Sequence, residues 1–422
     1  MRHRVLPAGA AAAATITALT GVPAPANAGL AQPTPVSSTP VKGTPNLKTG
    51  SAIHADAVIR GVVYAGGRFT QFTNGARTIT YNRNNLIAYS ASTGAVLPLH
   101  FTFNGDVMAL AGSADGTALY VGGAFTTVNG RVTGHVVKVR LATGAVDRTF
   151  RWSGGSGAVE ALQFKNSRLY AGGAFAKRLM AVNPTTGADT RTLSVSVTGR
   201  LDSTIATKVT SFAINPASTE LVAVGNFTTV NGHPRRAAFK LRLWGASAVL
   251  MTWHPSRFNR LCPVRNWPRD VDWSPDGHYF VIVGSGARPT TYPLSGFCDA
   301  AGRWEATSTG AIAQPTWINW TGGDSLYSVA VSGSAVYVGG HNRWLDNPYG
   351  HDTAGPGAYR VDSIGAIYPA TGKAIRTWNA RYMDREHGKE DLTLFPGGLV
   401  VGGDGTYLKG FYHRGTGIFP VP

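Results

Sequence analysis

A glycine pair closing an apolar run recurs along this chain and restricts its fold more than any other feature. It stands at Gly66-Gly67, Gly122-Gly123, Gly172-Gly173, Gly339-Gly340 and Gly402-Gly403, with Val224-Gly225 and Val283-Gly284 between them. Counted on the second residue, successive copies lie 56, 50, 52, 59, 56 and 63 residues apart. The fullest copy, residues 119–130, alternates apolar residues, ends in the pair and continues to Val128-Asn129-Gly130. Alternation suits a half-buried strand, glycine inside it lets another backbone come close, and Asn-Gly supplies the positive φ of a tight turn. Each copy therefore reads as a strand running into a hairpin loop.

Thr-Gly turns at Thr93, Thr143, Thr186, Thr309 and Thr371 keep step with the pairs, each after a short apolar run and before a strand ending in an aromatic residue such as Phe101, Trp152, Trp317 or Trp378. The unit is four short strands, exemplified by residues 107–111, 119–125, 136–141 and 146–152. Such a unit is a propeller blade, which buries both faces only when blades pack around an axis. No amphipathic helical pattern competes. The predicted class is all-β, a seven-bladed β-propeller over residues 43–422. The last copy supplies strands at 392–395, 399–403 and 417–419 before the chain stops at Pro422. Residues 44–50 precede the first strand where a fourth strand belongs, so they are expected to complete the last blade and remove its open edge.

Residues 1–28 join a basic start (Arg2, Arg4), an alanine-rich apolar middle and Ala26-Asn27-Ala28, the pattern of a secretory signal peptide. The apolar run is too short, and too interrupted by Pro23 and Pro25, for a transmembrane anchor. Residues 29–42, rich in Pro, Ser and Thr, read as a disordered lead-in. Loss of Arg2 and Arg4 with the leader takes the formal charge from +17 to +15. In an exported protein such charge points to anionic partners (cell-wall polymers, acidic polysaccharides, phospholipid headgroups) and away from nucleic acid, unless arginine is merely the preferred surface cation. Cys262 and Cys298, the chain's only cysteines, are expected to pair in an oxidising compartment, a bridge worth about 3–4 kcal/mol. No cofactor is implied, and a monomer is expected.

If the repeats are scaffold, departures from them mark function, because binding residues concentrate on loops carried by a rigid frame. Insertions at 70–85, 257–269, 286–303, 341–357 and 381–390 all emerge at one end of the ring. Eight of the 22 acidic residues fall between His341 and Asp404. Arg343, Trp344, Tyr349 and Arg385 are the ligand-binding candidates. Asp346, Asp352, Glu386 and Asp404, with His341, His351 and His387, are the acid/base candidates, since paired carboxylates suffice for such chemistry. The competing structural reading has Asp and Asn capping turns and the aromatics covering a blade edge. No compact spacing such as His-Glu-x-x-His occurs, so no metal site is assigned.

Tyr120-Val-Gly-Gly-Ala-Phe-Thr-Thr-Val-Asn-Gly130, followed by Thr143-Gly144-Ala145-Val146, resembles the delta-60 repeat β-propellers of exported proteins in high-GC Gram-positive bacteria. The segments around Cys262, 269–277, Cys298 to Glu305 and Tyr337 to Trp344 look alike too. The resemblance covers the chain from about Thr44 onward and implies fold and secretion but no activity. The third copy departs by losing its loop after Phe175, and the fifth lacks the full glycine pair. The doublet is also similar to kelch repeats, but the Cys-Tyr cross-link of kelch-type copper oxidases has no candidate once the cysteines pair. The expected function is a secreted binding module for a cell-wall polymer, glycan or protein. The alternative is a glycan-directed hydrolase or lyase.

Overall fold

The computed structural model describes residues 31–260, 262, 267–287, 296–311, 313–383 and 389–422. The chain is all-β. Among the described residues the only helical turn is the 3-10 turn Ser256–Asn259. Seven antiparallel sheets of three or four strands follow one another, each built in chain order, with smaller sheets of two or three strands beside them. The second sheet runs Val107–Gly112, Ala118–Gly123, Val136–Arg140 and Ala145–Val146, close to the four-strand unit read from the sequence. Asn129 (φ 51°) and Gly130 (φ 74°) make the tight turn of a small hairpin beyond it.

The first strand of each sheet is its leading strand: Ala52–Ile59, Val107–Gly112, Val159–Lys165, Lys208–Ile214, Pro268–Trp273, Leu326–Val331 and Lys389–Phe395. Each leading strand touches the next, and the last touches the first. An apolar core fills each junction. Leu86, Leu110, Leu119 and Val137 lie between the first two sheets, and Ile53, Val63, Val400 and Ile418 between the last and the first. The five junctions between these have clusters of their own. Each fully buried Val, Leu, Ile or Phe contributes roughly 1.5–3 kcal/mol, so a sheet that buries only one face alone gains most of its stability from its two neighbours.

The N-terminal segment lies against the last sheet in a register different from the expected one. Ser37 N–H donates to Pro420 O and Val41 N–H to Ile418 O, both at 2.8 Å. Val41 thus stands where Leu97, Asp147, Thr190, Met251 and Ile375 stand in other sheets, each donating to the equivalent third-strand carbonyl. Asn46–Leu47, expected as the last blade's fourth strand, instead pairs with Gln71–Thr73 of a first-sheet hairpin. Val197–Thr198 and Tyr382–Met383 do the same beside their own sheets. Residues 31–42, expected to be a disordered lead-in, are held because Val36 is buried. Its N–H donates to Tyr337 Oη and its carbonyl accepts from Trp378 Nε1, both at 2.8 Å. Leu47 and Ile418 share one core. The signal-peptide assignment, residues 1–28, lies outside the described residues. Cys262 and Cys298 form a disulfide with a Cα–Cα distance of 5.7 Å. Among the described residues no helix is long and apolar enough to cross a membrane.

The glycine pairs have a specific cause. In all seven sheets the leading strand carries one extra residue opposite the pair: Ile53 and Ala55 face Gly67 and Gly66, leaving His54 between them. Met108, Glu160, Thr210, Arg269, Tyr327 and Glu390 occupy the same bulge in the other six. The extra residue pushes the leading strand's backbone against the second glycine. A Cβ on Gly67 would lie 2.0 Å from Ala52 O, and on Gly123 2.1 Å from Asp106 O. The first glycine admits the next sheet, since a Cβ on Gly66 would meet Val107 Cγ1 at 2.3 Å. At Gly122 the closest atoms are side-chain carbons of Leu162 and Val159 at 3.0 Å, which have room to give. We therefore expect Gly123→Ala to lower stability by about 1–3 kcal/mol and Gly122→Ala by less, read from urea-unfolding midpoints. Equal losses would contradict this division of labour.

Candidate functional site

The residues singled out in the sixth-sheet insertion are occupied mainly with one another and with turns. The Arg343 guanidinium reaches Asp324 at 2.7 Å and Asp352 at 2.9 Å and lies over the Trp344 ring at 4.4 Å. Asp346 is buried and accepts from Asn319 Nδ2 at 2.7 Å and from the Ala374 N–H, so it fastens this loop to the next turn. Tyr349 is 56% exposed, and His351 is exposed as well. Asp404 is buried in the last sheet, where its charge adds to the burial that raises the Tyr382 phenol. Arg385, Glu386 and His387 lie outside the described residues. The arrangement thus joins Arg343, Trp344 and Asp352, and keeps Asp346 and Asp404 apart from them. Among the described residues no three His, Cys, Asp or Glu side chains cluster closely enough to hold a metal ion.

His341 leads elsewhere. Its Nε2 accepts the Ser325 N–H at 2.9 Å, and its Nδ1 is 3.2 Å from Tyr327 Oη. A main-chain N–H can only donate, so the neutral ring carries its proton on Nδ1 and the Tyr327 oxygen accepts it. Tyr327 is a bulge residue and lines a cavity of about 570 Å³ to which all seven leading strands contribute. The bulge residues His54, Met108, Glu160, Thr210 and Arg269 line it as well. Bulges commonly re-aim a side chain beside a functional site. Here one backbone device, repeated in every sheet, presents six unlike side chains to one space.

Further along the leading strands, the inner strand edges face the cavity with no strand beyond them, and their N–H groups need acceptors. Neighbouring sheets supply them. Asp391 Oδ2 accepts the Asp56 N–H at 2.7 Å, Gln163 Oε1 the Ile214 N–H at 3.0 Å, Asp270 Oδ2 the Val329 N–H at 2.9 Å and Asp272 Oδ2 the Val331 N–H at 2.8 Å. Asp270 also takes the Ser211 hydroxyl at 2.6 Å. Asp272 is partly open to the cavity, yet protein walls rather than bulk water surround it, and this desolvation pushes its carboxyl up to about 7. Asp270 is raised by the same cause.

Nearer the bulges the charges turn basic. Lys208 Nζ and the Arg269 guanidinium lie 5.4 and 4.4 Å from the centre of the buried Trp267 ring. Lys208 is neutralised by Glu160, whose two carboxylate oxygens are 2.9 and 3.0 Å away. Arg269 donates through Nε to Ser285 Oγ at 2.9 Å and sits 5.6 Å from the Tyr327 ring, and its burial lowers its pKa. Of these cavity residues only Trp267 and Arg269, at the end of the 257–269 insertion, fell in a stretch marked for function from the sequence. The signal of the bulge residues was a varying residue between a mostly apolar position and a mostly small one, as in Ile53-His54-Ala55, Val159-Glu160-Ala161 and Leu326-Tyr327-Ser328.

No family model and no curated protein matches the chain. Among solved structures it is similar to U3-55K, at 12% identity and a TM-score of 0.53, over 91% of this chain and 100% of that one. It is also similar to the computationally designed protein Ika8, at 12% identity and a TM-score of 0.46, over 89% and 98% of the two chains. At such identity the likeness to U3-55K concerns the fold alone.

The Asp272 carboxyl has a consequence for stability. Its folded value of about 7 lies above the ordinary carboxylate range, so the native state holds a proton that the unfolded chain has released. The stability this proton confers is complete below the unfolded value of about 4 and is lost as pH rises through about 7. The urea midpoint of the wild-type protein should fall relative to that of Asp272→Asn between those limits. A difference independent of pH would contradict the assignment.

Proposed function

We propose that this chain is a secreted seven-bladed β-propeller of the delta-60 repeat type. It acts as a binding module, and the end of the ring that carries the bulges recognises a cell-wall polymer, glycan or protein. Seven successive sheets, the return of the last leading strand to the first, a core at each junction and the Val41 contact with Ile418 support the ring. The disulfide suits an oxidising compartment, and a formal charge of +17, or +15 once Arg2 and Arg4 leave with the leader, suits an anionic surface. One observation carries the binding reading: the frame repeats its backbone in every sheet, while the six bulge side chains that line the cavity are all different. A scaffold needs no such variety at its axis, whereas recognition does. The hydrolase or lyase reading finds less support, because Asp346 fastens a turn and Asp352 is paired with Arg343.

The test is retention of the purified mature protein on insoluble Gram-positive cell-wall fractions across a salt series. The wild-type protein should be retained at low salt, and Tyr327→Ala combined with Glu160→Gln should weaken retention about tenfold, or ~1.4 kcal/mol, with the thermal midpoint used to exclude unfolding. Retention unchanged by the bulge substitutions, or absent at every salt concentration, would contradict the reading.

A further inference from the structure

The cavity holds a charge imbalance that the fold does not explain. Lys208 and Arg269 lie against the same indole, yet among the described residues only Lys208 has a carboxylate within ion-pair distance. Arg269 is the bulge residue of the fifth sheet and lines the cavity. Its Nε is tied to Ser285 Oγ at 2.9 Å, and its Cζ lies over the Trp267 ring, 4.4 Å from the ring centre. Among the described residues it forms no ion pair. The bond and the ring contact together hold the guanidinium and, among the described residues, leave its two terminal nitrogens without an acceptor. Elsewhere on the molecule Arg303, Arg343, Arg360 and Arg381 each have a carboxylate within 3 Å. Against its burial, Glu160 and Asp299 favour the charged form of Arg269 without forming an ion pair with it, and a planar fork of N–H donors matches a carboxylate in a bidentate way.

We propose that the Arg269 end of the cavity is a carboxylate-binding subsite for an acidic saccharide, the sugar-acid carboxylate docking on the terminal nitrogens of Arg269. The proposal rests on the binding reading above and names its ligand class. A volume of about 570 Å³ suits a few sugar units better than a folded partner. Tyr327 offers part of a ring face beside Arg269, and Glu160 and His54 offer polar groups for hydroxyls on the same level of the cavity. Of the carboxylates that line the cavity, Asp391 and Asp270 are tied into the frame by hydrogen bonds, and burial favours the uncharged form of Asp270 and Asp272. Asp391 accepts from the Asp56 N–H and the Thr393 hydroxyl, and Asp270 accepts from Ser211, Val271 and Val329. The strong positive charge of the whole chain draws such a ligand in.

The test uses the mature protein with trigalacturonate, the neutral trigalactose analogue and acetate, read by calorimetry and by tryptophan fluorescence, since Trp267 borders the subsite. Trigalacturonate should bind and change the fluorescence, the neutral analogue should bind at least tenfold more weakly, and acetate should compete weakly. Arg269→Met should reduce trigalacturonate affinity at least tenfold and Arg269→Lys by less. Ser285→Ala, which releases the guanidinium, should reduce it a few-fold and serves if Arg269→Met fails to fold. Equal binding of the acidic and neutral trisaccharides, or affinity unchanged in both Arg269→Met and Ser285→Ala, would overturn the subsite. Wall retention that persists while trigalacturonate fails to bind would sink this proposal and leave the binding module standing. Acetate competing as strongly as trigalacturonate would show an anion site without saccharide recognition and would also overturn it.

Discussion

The structure depends on a close approach of two backbones, repeated in every sheet. The leading strand bulges toward its neighbour by one residue, and in most sheets a carbonyl arrives where a Cβ would otherwise stand, at 2.0 Å for Gly67 and 2.1 Å for Gly123 and Gly340. Only glycine tolerates that contact. The bulge in turn supplies a residue with no cross-strand partner, and this residue is free to vary without disturbing the ladder. His54, Met108, Glu160, Thr210, Arg269 and Tyr327 are unlike for that reason: the constraint falls on the glycine opposite and leaves the bulged side chain to chemistry.

A second consequence follows in the cavity. Leading strands that face a cavity have unpaired N–H groups, and the chain satisfies several with side chains from the neighbouring sheet, as Asp272 does for Val331 and Gln163 for Ile214. These bonds tie sheets together through the cavity wall while apolar cores tie them through their faces. The carboxylates so used are hydrogen-bonded into the wall, whereas Lys208 pairs with Glu160 and Arg269 forms no ion pair among the described residues. At the other boundary of the array, residues 37–41 cover the last sheet's third strand, and Val36 is locked between Tyr337 and Trp378.

Much of this architecture was legible because its causes are local. The glycine doublets mark close backbone contacts, the Asn129-Gly130 turn announces its positive φ, and two cysteines admit one pairing. The register of the N-terminal segment was not legible. Val36 and Val41 stand among Pro, Ser and Thr residues, and only the Tyr337 and Trp378 side chains of a distant sheet show that the segment is held. The cavity was missed for a related reason. A search for insertions finds extra length, whereas the bulge residues other than Arg269 lie at positions of constant length and become neighbours only when the sheets come together. Asp346 and Arg343 drew attention as reactive types, and their bonds to Asn319, Ala374, Asp324 and Asp352 are visible only in three dimensions.

The most direct test of the bulge account is a cysteine-accessibility scan along the leading strands, with the native disulfide left intact. Cysteines placed singly at His54, Met108, Glu160 and Thr210, which are partly exposed to the cavity, should react with a small charged thiol reagent. Cysteines at the preceding Ile53, Val107, Val159 and Val209, each 0% exposed, should stay protected in the folded protein. Labelling that alternates in this way in all four sheets is the result the account predicts; equal labelling at both sets of positions, or protection at both, would contradict it.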